Sequence, residues 1–183
     1  YLAIRDDWEA VLSTANRGIA DYPNSRTSKF LKLFKLRALL HKVIGGEGGI
    51  TVGGRPDLKV SDAIALRDAT IEALGEAQAS GWPANSEVIL DCAAAVCVIF
   101  GSDLDLLKLL SDFSQKRVKL RDTHEALARI ATFMDEPSIA ISAIKRIADP
   151  EPVDLARLVL LLSESGVHAE AVEVAIANLI DKQ

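Results

Sequence analysis

Residues 7–25 read DWEAVLSTANRGIADYPNS. Trp8, Val11, Ala15 and Ile19 recur at helical spacing, and Tyr22-Pro23-Asn24-Ser25 then breaks the pattern. A proline removes a backbone donor and collides with the preceding turn, so this run is one helix followed by a stop. The same grammar extends through the chain. Of 183 residues, 49% are apolar but only 5% aromatic, and glycine (11) and proline (6) are scarce. Alanine and leucine dominate, and both head the helix-propensity scale. The β-branched and aromatic mixture that strands favour is thin, and the chain is too apolar for intrinsic disorder. These proportions predict an all-α fold.

The breaks are legible because glycine and proline are few. Gly45 to Pro56 holds six of the eleven glycines and reads as a Gly-rich loop insertion over 45–58. Gly81-Trp82-Pro83, Gly101-Ser102-Asp103, Glu136-Pro137, Asp149-Pro150-Glu151-Pro152 and Gly166 mark the other stops. Between them, apolar residues recur at i, i+3, i+4, i+7, as in Ile64, Ala65, Ala69, Ile71, Leu74 and in Leu104, Leu107, Leu110, Phe113. Ser61-Asp62 and Ser102-Asp103 are start signals. The spacing predicts nine helices, over 6–21, 26–44, 60–80, 85–100, 103–116, 120–135, 137–148, 153–165 and 168–181. Short connections make neighbouring helices antiparallel. The length suits a single domain over 1–183, and the opening Tyr1 suggests a piece of a longer chain.

The stretch Asp7-Trp8-Glu9-Ala10-Val11, with Ala15, Gly18-Ile19 and Tyr22-Pro23-Asn24-Ser25, resembles the second helix of a tetratricopeptide repeat. Trp8 and Pro23 sit where that family has its aromatic and its proline, and Val11 stands where it has alanine. Gly166, His168, Ala171, Ala175 and Leu179 form a second copy, and Ile139 through Ile144 to Asp149-Pro150 a third. The Gly-rich insertion and the long third helix depart from the family's period. The resemblance implies stacked antiparallel hairpins in an α-solenoid, small residues where paired helices meet, and a concave groove lined by the first helix of each hairpin.

Reactive constellations are not found in the sequence. Glu125 follows His124, but position 128 is alanine, so a pair of zinc-binding histidines at i, i+4 fails. His41, His124 and His168 are far apart and read as partly buried or surface residues. Cys92 and Cys97 point about 140° apart on a helix and read as small core residues. The Gly-rich loop has no lysine after its glycines and no strand before it, so it does not read as a phosphate cradle. Asp103 reads as a helix cap rather than as half of a carboxylate pair with Asp105. No catalytic residue, cofactor or metal ligand is expected. No apolar run is long enough to span a membrane, and a cytoplasmic location is expected.

Charge carries the functional expectation. The net charge of −5 conceals two acid-free basic islands. Residues 22–46 hold Arg26, Lys29, Lys32, Lys35, Arg37 and Lys42; residues 116–121 hold Lys116, Arg117, Lys119 and Arg121. On the helix 26–44, Lys32, Lys35 and Lys42 share a sector of about 80°, with Phe30, Leu33 and Phe34 opposite as the packing face. The lysines then form either a solvated stripe or a surface for an acidic peptide or chain terminus. The expected partner-binding residues are Lys32, Lys35, Arg37, Lys42, Lys116, Arg117, Lys119 and Arg121. The expected function is a non-catalytic scaffold or regulatory module that binds a partner peptide or helix in a groove. A nucleic-acid-associated module using islands 26–42 and 116–121 is the alternative. The acidic remainder and the lack of an aromatic stacking platform weigh against it. A ligand pocket beside the Gly-rich loop is a third reading.

Overall fold

The computed structural model describes residues 7–44, 58–80, 87–101, 103–116 and 121–180. Among these residues the chain is all α-helical, with no strand. In order the helices are α1 (Trp8–Asp21), α2 (Arg26–Ile44), α3 (Val60–Ser80), α4 (Glu87–Phe100), α5 (Leu104–Lys116), α6 (Arg121–Phe133), α7 (Pro137–Ile144), α8 (Pro152–Glu164) and α9 (His168–Ile180). The Gly-rich stretch 45–57 lies outside the described residues. The chain divides into two compact units, residues 1–109 and 110–183, with the division inside α5.

In the first unit, α2 packs on α1, α3 and α4, and α3 packs on α4. The Asp7 side chain caps α1 by accepting the Ala10 N–H at 3.1 Å. Ser25 does the same for α2: its Oγ accepts the Ser28 N–H at 3.0 Å and donates to the Tyr22 carbonyl. Gly18 brings the two helices close, since a Cβ there would lie 2.5 Å from Leu31 Cδ1. The core helix is α4, where Ile89, Leu90, Cys92, Ala93, Ala95, Val96 and Cys97 are all buried. The buried residues of α3 are Ala63, Leu66, Ala69, Thr70, Ala73 and Leu74. This corrects the expected stripe, because Ile64 and Ala65 are exposed. Leu66 and Ala73, each one turn from Ala69 and Thr70, set the true face.

In the second unit, α6 packs on α7, α7 on α8, and α8 on α9. Two helices end earlier than their apolar spacing predicts. Asp135 adopts φ +58° after α6, and the Glu136 N–H bonds the Ala131 carbonyl at 2.8 Å. Gly166 does the same after α8 at φ +77°, with the Val167 N–H on the Leu162 carbonyl at 2.8 Å. Both are left-handed caps that satisfy an orphan carbonyl; glycine takes this conformation freely, and aspartate is among the few other residues that tolerate it. Similarly, α7 stops at Ile144, four residues before the expected end.

Candidate docking site

Two lysines of the α2 stripe, Lys32 and Lys42, form a seam with the neighbouring helices, and Lys35 between them is half-buried. Lys32 Nζ lies 2.9 Å from Glu72 Oε1 and also pairs with Glu76, both on α3. Lys42 Nζ lies 2.8 Å from Glu9 Oε1 on α1 and 3.6 Å from Asp62 Oδ1 on α3. The two lysine side chains are only 16% and 26% exposed, so these pairs are less screened than open surface pairs. Burial alone would lower the Lys32 pKa, but hydrogen bonds to Glu76 and Glu72 outweigh it and the net direction is upward. For Lys42 the Glu9 hydrogen bond leads, and the direction is again upward. Beside Lys32 and Lys35 there is a void of about 30 Å³, room for about one water.

Arg121 is likewise engaged within its own unit. Its guanidinium pairs with Glu125, donates to the Asp149 carbonyl at 2.7 Å, and lies 2.8 Å from Asp154 Oδ2 and 3.3 Å from Glu151. Asp154 is nearly buried and also accepts the Glu151 N–H at 2.9 Å, which caps α8. Arg121 therefore ties α6 to the start of α8. The Lys116 side chain and residues Arg117 and Lys119 lie outside the described residues.

The opposite side of α2 is exposed. Phe30 and Phe34, expected on the packing face, are 43% and 48% exposed. The residues α2 buries are Ser28, Leu33, Leu36, Ala38, Leu39 and Val43, so of the expected trio only Leu33 is in the core. Arg26 and Arg37 are exposed, and among the described residues neither has an ion pair. Counting about 100° per residue, Arg26, Arg37, Phe30 and Phe34 share a sector of about 80°. They form one stripe, with an arginine at each end and two phenylalanines one turn apart between them.

Arg37 also reaches a cavity of about 330 Å³ bounded by three helices. Leu40, His41 and Ile44 of α2 line it together with Trp8 of α1 and Glu87, Val88 and Asp91 of α4. Trp8 stacks on His41 with ring centroids 4.6 Å apart and the planes 23° from parallel. Both rings line the cavity, and the Trp8 Nε1 is buried without a hydrogen-bond partner among the described residues. The α2 stripe runs into this opening, which gives the first unit a concave feature on its arginine side.

The remaining polar candidates are structural. His124, expected to be partly buried, is fully buried, with its Nδ1 2.7 Å from Ser114 Oγ. His168 is exposed at the start of α9. Cys92 and Cys97 are free and buried. Cys92 Sγ donates to the Leu36 carbonyl at 3.8 Å. Burial pushes both thiols up, Cys97 to about 12, so neither is a thiolate near neutral pH. Asp103 caps α5 as expected by accepting the Leu106 N–H at 3.1 Å, and Arg67 Nε holds it at 2.6 Å. Burial pulls its carboxyl upward, but Arg67 and the backbone donors outweigh that and the net direction is downward. Among the described residues no group of three or more His, Cys, Asp or Glu could hold a metal. No described helix is long and apolar enough to cross a membrane.

No family model, curated protein or solved structure matches the chain.

Proposed function

We propose that the chain is a non-catalytic interaction module that receives a partner peptide or helix on the first unit. The observation that carries this reading is the uncovered α2 stripe, where two half-exposed phenylalanines lie between two arginines that have no ion pair. Isolated exposed apolar residues are ordinary, but a contiguous apolar and cationic stripe beside a cavity is the composition of a docking surface. The tetratricopeptide-like reading is also a proposal, and the packing of α2 on both α3 and α4 supports it. In that arrangement α2 and α4 are first helices, and their shared side faces the concave groove.

Among the sequence-level candidates, Arg37 belongs to this surface, and Lys32, Lys42 and Arg121 serve the fold. A nucleic-acid role has less support, because those three cations are each neutralised by at least two carboxylates. The test is site-specific photocrosslinking in cells, with a benzophenone amino acid at Phe34 and, as reference, at the exposed Ile64 of α3. Discrete protein adducts at position 34 and none at 64 are expected. Adducts at neither site, or the same adducts at both, would reject the module reading.

A further inference from the structure

Resting on that reading, we propose that the α2 stripe docks an acidic amphipathic helix, whose apolar face covers Phe30 and Phe34 and whose carboxylates reach Arg26 and Arg37. The stripe itself sets the pattern. Arg26 and Arg37 are eleven positions apart, which is about 16 Å along the helix axis. Phe30 and Phe34, at i and i+4, stand above one another between them. A helix laid along α2 therefore needs apolar residues at i, i+3 or i+4 in its middle and acids on its flanks toward either end. This is the groove-bound amphipathic-helix mode of recognition. The arginines select the charge: each is exposed, has no ion pair among the described residues, and offers planar bidentate donors to a carboxylate.

Two other occupants fit less well. A second copy paired through α2 about a two-fold axis would set arginine against arginine, because an isologous contact brings the same stripe to both sides. A single-stranded nucleic acid would stack on the phenylalanines but needs a continuous cationic track for its backbone. Here Lys32 and Lys42 are held by carboxylates, and Glu87 and Asp91 line the same cavity as Arg37, where they repel phosphate.

The test uses the 183-residue chain and fluorescently labelled helical peptides of about 18 residues, long enough to hold a helix. The acidic probe carries leucines on one face and glutamates on its flanks; the control has each glutamate changed to lysine. Fluorescence anisotropy is expected to show micromolar binding of the acidic probe only, weakened about threefold to tenfold between low and high salt. R26E/R37E should lose the acidic probe by about tenfold or more and gain the basic one, a reversal that misfolding cannot produce. F30A/F34A should lose the acidic probe, with its circular-dichroism melt unchanged. The inference is overturned if the acidic probe does not bind up to millimolar concentration. It is equally overturned if binding is indifferent to R26E/R37E, or if oligouridylate binds more tightly with the same sensitivity to these variants. Self-association of the chain that Phe34→Glu abolishes would seat a second copy there and also overturn it. If the acidic probe fails while crosslinks at position 34 persist, the module reading stands and only this choice of partner falls.

Discussion

The two sides of α2 hold the same kinds of residue and do different things with them. On one side Lys32 and Lys42 are drawn against α3 and α1 and neutralised by Glu72, Glu76, Glu9 and Asp62. On the other, Arg26 and Arg37 stand in solvent with Phe30 and Phe34 between them. An acid-free run in the sequence is therefore not an acid-free surface, since the neighbouring helices bring their own carboxylates. What distinguishes a cation available to a partner from one used in the fold is which helix it faces. The same distinction separates Arg121, which staples α6 to α8, from Arg37.

The contrast between the two sides can be broken most easily through stability. Leu36, fully buried on the inner side, should cost about 2–5 kcal/mol when changed to alanine. Phe34→Ala, despite removing a larger side chain, should stay within about 0.5 kcal/mol. Urea denaturation of the two variants decides this; a comparable loss for Phe34→Ala would mean that the outer stripe is covered.

Much of this architecture was legible in sequence, and the exceptions have physical causes. Helix starts and stops followed from Pro23, Pro137, Pro152 and Gly166, because backbone chemistry acts locally. The left-handed Asp135 gave no signal comparable to a glycine, so α6 ended two residues early. The face of α2 is ambiguous in sequence because its apolar residues surround most of its circumference: Phe30 and Phe34 mark one side, while Leu33, Leu36, Leu39 and Val43 form the buried stripe. The proposed stripe also takes in Arg26, whose place in the sector of Phe30 and Arg37 is legible from helical spacing alone. The ion pairs of Lys32 join residues 40 and 44 positions apart. No spacing argument reaches that far.

Smaller effects sharpen the picture of cations engaged by the fold. Asp103→Ala removes both the cap of α5 and the partner of Arg67, and should cost about 1–2 kcal/mol. Asp103→Asn, which keeps a capping oxygen, should cost less. Because the folded Asp103 pKa is depressed, its contribution is present above the unfolded value of about 3.9 and fades as pH falls through the lower folded one. The gap between wild type and Asp103→Asn in chemical melts should therefore close on acidification below about pH 4. A gap that widens there would contradict the assignment.

Lys32→Gln is expected to be milder still, about 1 kcal/mol or less, since Glu72 and Glu76 remain partly hydrated once released. The sign with pH is opposite. A raised lysine pKa stabilises below the unfolded value of about 10.4 and is lost as pH rises through the higher folded value. Thermal melts at pH 8 and pH 11 should show the difference between wild type and Lys32→Gln shrinking at the higher pH. A constant difference would show that packing of the lysine stem, not its charge, holds the seam.

If the proposed docking is right, the Phe30–Phe34 side of α2 is open in the isolated chain and becomes covered when the acidic helix binds. Hydroxyl-radical footprinting read by mass spectrometry addresses it residue by residue. Rapid oxidation of Phe30 and Phe34 is expected in the free chain, with little at the buried Phe113, and selective protection of the first two on adding the acidic helix. Slow oxidation of Phe30 and Phe34 in the free chain, or no protection at saturating peptide, would contradict it.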